Sequence, residues 1–160
     1  MFWVALVAVL LLGAALVWTL INGRLPFTPY SYKGMLIQSP DKAANFTLTD
    51  HNGQRVSLSD FQGKVVLIYF GYTFCPDACP TTLAQLKKVP PALGDDAGDV
   101  QVLMVTVDPE RDTPDVLREY LSFFDPSFLG LTGTEEEILA AATPFGIYYN
   151  QHAGTAATGY

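Results

Sequence analysis

Residues Phe2 to Ile21 form a run of 20 residues without a single charge, and Thr19 is its only clearly polar side chain. As a helix rising 1.5 Å per residue, such a run spans about 30 Å, the thickness of a bilayer's hydrocarbon core. Trp3 and Trp18 stand near its two ends, where interfacial aromatics belong. A cleaved signal peptide and a buried core helix are the alternatives. A signal sequence has a shorter apolar stretch followed by small-residue cleavage chemistry. Here the run closes on Trp18-Thr-Leu-Ile21. An uncleaved single-pass anchor over residues 1–22 is expected. No Lys or Arg precedes it while Arg24 and Lys33 follow, so positive-inside counting gives weak, even contrary, guidance on orientation. Residues 23–33, with two Pro and a Gly, read as a tether.

What remains is one small domain in a chain of 160 residues. Its apolar content excludes a disordered polypeptide. Nine Lys and Arg against 16 Asp and Glu give a net charge of −7, which argues against a nucleic-acid partner. Two Cys are too few for a disulfide scaffold or a four-cysteine zinc site, and two His too few for a His-rich metal cage.

The pattern alternates strand and helix. Phe46-Thr-Leu-Thr49 and Arg55-Val-Ser-Leu58 flank Asp50-His-Asn-Gly53, which predicts a β-hairpin with His51 exposed in its turn. Lys64 to Phe70 and Val100 to Val107 read as strands buried on both faces. A helix carrying Leu83, Leu86 and Val89 follows the first and is stopped by Pro90-Pro91. Thr113 as N-cap with Pro114 behind it opens a second helix, whose buried face is Leu117, Tyr120, Leu121 and Phe124. Phe128 to Leu131 is a short strand. Thr134-Glu-Glu-Glu137 is a capping box opening a third helix, and Gly146 to Tyr149 reads as the start of a further strand. This order implies an α/β sheet with parallel pairs, whose sites form at the carboxyl ends of strands. The loops after the two long strands therefore meet if those strands are neighbours.

Between the first long strand and its helix stands Cys75-Pro-Asp-Ala-Cys79. A thiol at a helix N-terminus is acidified by the dipole. The i,i+4 spacing brings both sulfurs to one face where the segment is helical. Such a pair can hold a soft cation, Cu(I) above all, or close into a disulfide. A purely structural disulfide is the competing reading, but so short a loop gains little as an entropic staple. Asp77, Asp108, Glu110 and Asp112 gather in the two candidate loops with Arg111. They read either as a solvated rim or as residues supporting the thiols, with Asp108 favoured because it ends a strand aimed at the Cys loop. His152 is weighed as a third ligand, but no strand aims it.

With these residues in place, the chain resembles the Sco/SenC family, thioredoxin-like proteins that assemble the copper site of cytochrome c oxidase. The resemblance runs over residues 34–150. Its specific parts are Tyr69-Phe-Gly-Tyr-Thr-Phe-Cys-Pro-Asp-Ala-Cys-Pro80 and Val105-Thr-Val-Asp-Pro-Glu-Arg-Asp-Thr113; Phe46 to Gly53, Leu117 to Tyr120 and Gly130 to Gly133 also fit. The resemblance implies a thioredoxin-like sheet with flanking helices over residues 34–160. It implies Cys75 and Cys79 as the copper-binding and redox-active pair, with Asp108 and Asp77 beside them. The cargo implied is copper, Cu(I) preferred and Cu(II) possible. The implied setting is a domain facing the periplasm or the mitochondrial intermembrane space; an anchor with no Arg/Ser-rich transit segment before it favours the bacterial inner membrane and so the periplasm. The implied partner is cytochrome c oxidase subunit II or a related copper or thiol protein.

The family's third ligand is a His in a segment that would begin at about Tyr160. A C-terminally incomplete domain, lacking its last strands and helix, is therefore expected. Delivery of copper and thiol–disulfide exchange on an exported protein are the two functions the pair could serve. A peroxiredoxin-like activity is disfavoured, since Thr73 stands two residues before Cys75 and not three. A non-catalytic membrane scaffold is the remaining class.

Overall fold

The computed structural model describes residues 2–22 and 42–149, as two separate units: the N-terminal helix and an α/β domain. The helix α1 runs over Phe2–Asn22. Most of its described side chains stand exposed, Phe2 and Trp3 included. The 23–33 tether reading, and His152, lie outside the described residues.

The domain opens with the hairpin β1 (Thr47–Asp50) and β2 (Arg55–Ser57), paired antiparallel with Leu48 opposite Val56. Its turn is built by Asp50, whose carboxyl Oδ1 accepts the N–H groups of Asn52 and Gln54 at 2.8 and 2.7 Å. Gly53 completes it at φ +82°, a left-handed value that costs glycine little. Then come β3 (Val65–Gly71), α2 (Ala78–Leu86), α3 (Val89–Leu93), β4 (Val100–Thr106), α4 (Pro114–Ser122), β5 (Leu129–Thr132) and α5 (Glu135–Ala142). The sheet order is β2-β1-β5-β4-β3; β3, β4 and β5 run parallel, and β1 is antiparallel to β5.

The central strand β4 separates two apolar layers. Leu103 and Val105 pack with Leu48, Leu131 and Ile138 on one face. Val102 and Met104 pack with Leu83, Leu117, Leu121 and Phe128 on the other. This is why β4 must be apolar at successive positions, a requirement only a strand covered on both faces imposes. On β5, a Cβ at Gly130 would lie 2.9 Å from Leu121 Cδ1 and 3.1 Å from Leu117 Cβ, so the glycine lets α4 approach the sheet.

Four expectations are corrected. β3 is not buried on both faces: among the described residues it pairs only with β4, its residues 66–70 are half-buried, and Val65 is exposed. Pro90-Pro91 do not merely stop α2; they sit in the first turn of α3, where proline's missing N–H costs nothing. Residues 146–149 form no strand, because a 3₁₀ turn at Thr143–Phe145 ends on Gly146 in the left-handed region at φ +70°. His51 is half-buried, its Nδ1 accepting the Gly130 N–H at 3.1 Å.

Candidate metal and thiol site

Parallel pairing of β3 and β4, in register from Val65–Val100 to Gly71–Thr106, puts the two following loops side by side. The pairing extends one residue further, with the Val107 N–H donating to the Gly71 carbonyl at 2.9 Å. Beyond Gly71 the chain turns at once. The Cys75 N–H donates to the Tyr72 carbonyl at 3.3 Å, closing a four-residue turn with Thr73 and Phe74 in its middle. Helix α2 then starts at Ala78, so Cys79 lies in its first turn while Cys75 precedes it.

The two thiols are unequal and both reduced. Cys75 is partly exposed and Cys79 buried. The Cys79 N–H points at Cys75 Sγ, 3.3 Å away. Burial pushes the Cys75 thiol up, but hydrogen bonds from the Cys79 side chain and from the N–H groups of Asp77, Cys79 and Ala78 outweigh it. They hold Cys75 below the ordinary thiol value. For Cys79 the balance reverses: burial and its hydrogen bond to Cys75 push it up, against an opposing hydrogen bond from the Tyr69 hydroxyl. Tyr69 carries a signal that sequence reasoning missed. As a residue of β3 it read as sheet core, and only its placement next to Cys79 shows a polar role.

The acidic residues divide. Asp77 is the N-cap residue of α2 by position; its side chain makes no capping bond and is exposed. Asp108 is buried, and its carboxylate forms an ion pair with Arg111 Nε. Glu110 is exposed. Asp112 reaches the Cys loop. Fully buried, it accepts from the Thr73 N–H at 3.0 Å, the Thr73 hydroxyl at 2.5 Å and the Thr106 hydroxyl at 2.6 Å. Arg111 lies 4.6 Å from the centre of the Phe74 ring, within cation–π range. Behind the loop, the buried Tyr120 hydroxyl has no hydrogen-bond partner among the described residues, and burial pushes its pKa up to about 12.

Among the described residues, no three His, Cys, Asp or Glu side chains gather where a metal ion could sit. The donor set among the described residues is therefore the two sulfurs. Two thiolates suit a soft ion of low coordination number and are too few for zinc.

The SCO1/SenC family model matches residues 35–160. The chain belongs to the SCO1/SenC family. An SCO2-like protein of Rickettsia felis is 36% identical over 147 residues, covering 91% of this chain and 72% of that protein. Among solved structures, Bradyrhizobium japonicum ScoI with copper bound is similar at a TM-score of 0.63 and 46% identity, over 66% of this chain and 68% of that one. BsSco, a member of the Sco family of cytochrome c oxidase assembly proteins in which a disulfide switch was identified, matches at a TM-score of 0.60 and 28% identity. That match covers 69% of this chain and 67% of BsSco. The fold is thus thioredoxin-like, as the Sco/SenC resemblance implied, with its mixed sheet and flanking helices.

Proposed function

We propose that this SCO1/SenC protein binds copper through Cys75 and Cys79 and delivers it during cytochrome c oxidase assembly, with subunit II of the oxidase as acceptor. One observation carries the reading: an acidified, accessible Cys75 stands against the helix turn that holds Cys79, in a chain similar to a copper-bound ScoI. Copper is cargo here. Cu(I) favours thiolates at low coordination number, and release follows when an acceptor's sulfurs replace them one at a time. Cys75, the more accessible of the two, is the sulfur an incoming ligand meets first. Helix α1 would hold the domain at a bacterial inner membrane, facing the periplasm. Its stretch Phe2–Thr19 has a mean hydropathy of 2.4.

The test is an anaerobic competition for Cu(I) between the reduced chain and a colorimetric chelator. One Cu(I) per chain is expected. Cys75→Ala and Cys79→Ala should each weaken binding by more than the roughly 10–100-fold typical of losing an outer-shell partner. Unchanged affinity in either variant overturns the reading.

The inequality of the two thiols supports a second reading, exchange with a partner disulfide. Cys75 would attack and Cys79 would resolve the mixed disulfide, the protein pair being oxidised as the partner is reduced. Turnover of a disulfide substrate by the metal-free chain would place this reading first.

A further inference from the structure

We propose that Asp112 is a positioning residue for Cys75, holding the reduced pair in the geometry that favours thiols over the disulfide. The inference deepens the proposed function and rests on the pair being its working part.

The turn Tyr72–Cys75 places Cys75, and its two middle residues are both held by the β4–α4 loop. Asp112 grips Thr73 twice, at its N–H and at its hydroxyl. Arg111 lies against Phe74. The grip is anchored on the sheet, because Asp112 also accepts from Thr106 at the end of β4, and the Thr106 hydroxyl in turn accepts the Asp108 N–H at 2.9 Å. Thr106 and Asp112 are both fully buried, so water does not compete for the bond between them, while the two bonds to Thr73 are part-buried. Cys75 is thereby fixed where its sulfur receives the Cys79 N–H.

Closing a disulfide removes the Cys75 thiolate as an acceptor and draws the loop to a new geometry. The clamp opposes that change. Its loss therefore shifts the pair toward the oxidised form: two thiols give up two electrons and two protons, and glutathione disulfide becomes two glutathiones.

The experiment equilibrates the full chain in detergent with glutathione redox buffers, without metal, and reads the thiol–disulfide constant by gel shift after alkylation. Asp112→Ala should move the constant about tenfold toward the disulfide, the worth of about one buried hydrogen bond. Asp112→Asn should stay within about twofold of the parent. A flipped amide still accepts from the Thr73 N–H and Thr106, and donates to the Thr73 hydroxyl.

Thr73→Val removes one bond and leaves the buried network otherwise intact. It should move the constant about threefold the same way and serves even where Asp112→Ala does not fold. A lowered melting temperature with an unmoved constant in Asp112→Ala, an unmoved constant in Thr73→Val, or an Asn variant as shifted as Ala overturns the proposal. Because no copper is present, failure of the copper reading leaves this outcome unaffected. A clamp that fails likewise leaves the Cu(I) competition to be judged by itself.

Discussion

Cys75 and Cys79 are chemically alike in the unfolded chain and are made unlike by four residues of backbone. The first turn of α2 aims its free N–H groups at Cys75, while the same turn carries Cys79 down into the layer containing Leu83. A thiol held below its ordinary value contributes more thiolate near neutral pH, and only the thiolate reacts with an alkylating agent. Iodoacetamide should therefore modify Cys75 faster than Cys79 at pH 7. Mass spectrometry of the singly labelled chain checks this, and equal labelling of the two positions would refute the asymmetry. In the Cys79→Ser variant the remaining thiol should still react readily; in Cys75→Ser it should react slowly. The Cys pair was legible because its spacing is local. The role of Asp112 was not: among four acids in two loops, nothing in the sequence distinguishes the one that turns inward to Thr73.

At the scale of elements, helix punctuation is local and shows in the sequence, whereas the surroundings of side chains do not. The Thr134 capping box is present as expected: the Thr134 hydroxyl accepts from the Glu137 N–H at 3.2 Å, and the Glu137 carboxylate accepts from the Thr134 N–H at 2.9 Å. Glu137 also pairs with Arg55 of β2 at 2.8 Å, a long-range contact that sequence does not show. Thr134→Ala should cost about 1 kcal/mol in urea unfolding, and an unchanged midpoint would show that α5 is held by packing alone.

A residue in a hairpin turn is normally solvated, and His51 departs from this. Here β5 runs beside β1, and the ring packs on Gly130. Burial pushes His51 below its ordinary value of 6.5, with Arg118 adding to this and Asp50 opposing it. A depressed folded value means that the unfolded chain binds the proton more readily. The stability His51 contributes is therefore present above about pH 6.5 and lost as pH falls through the lower folded value. His51→Gln, which can still accept from Gly130, should show a shallower loss of stability between pH 7 and pH 5 than the parent. Parallel slopes in denaturant titrations at the two pH values would exclude the effect.

For the whole molecule, the alternation of strands with helices was enough to predict parallel neighbours and so the meeting of the two loops. The long-range facts were beyond reach. Both β3 and β4 are apolar enough to be central strands, yet β4 alone is covered on both faces and β3 has β4 as its single described partner. Composition of a strand does not state its place in the sheet.

The apolar helix α1 poses the remaining question at this scale. Its described side chains are mostly exposed and apolar, and exposing such a run to water is unfavourable at about 25 cal/mol per Å². A bilayer removes that cost only if the segment is retained and inserted. The full chain expressed in bacteria should stay in the membrane pellet through carbonate washing, and its intact mass should include residues 1–22. Leu10→Arg, near the helix centre, adds an insertion cost of about 3 kcal/mol and should release a substantial fraction to the supernatant. A parent chain found in the wash, or one whose mass shows cleavage after the apolar run, would identify the segment as a signal sequence and remove the anchor from the proposed function.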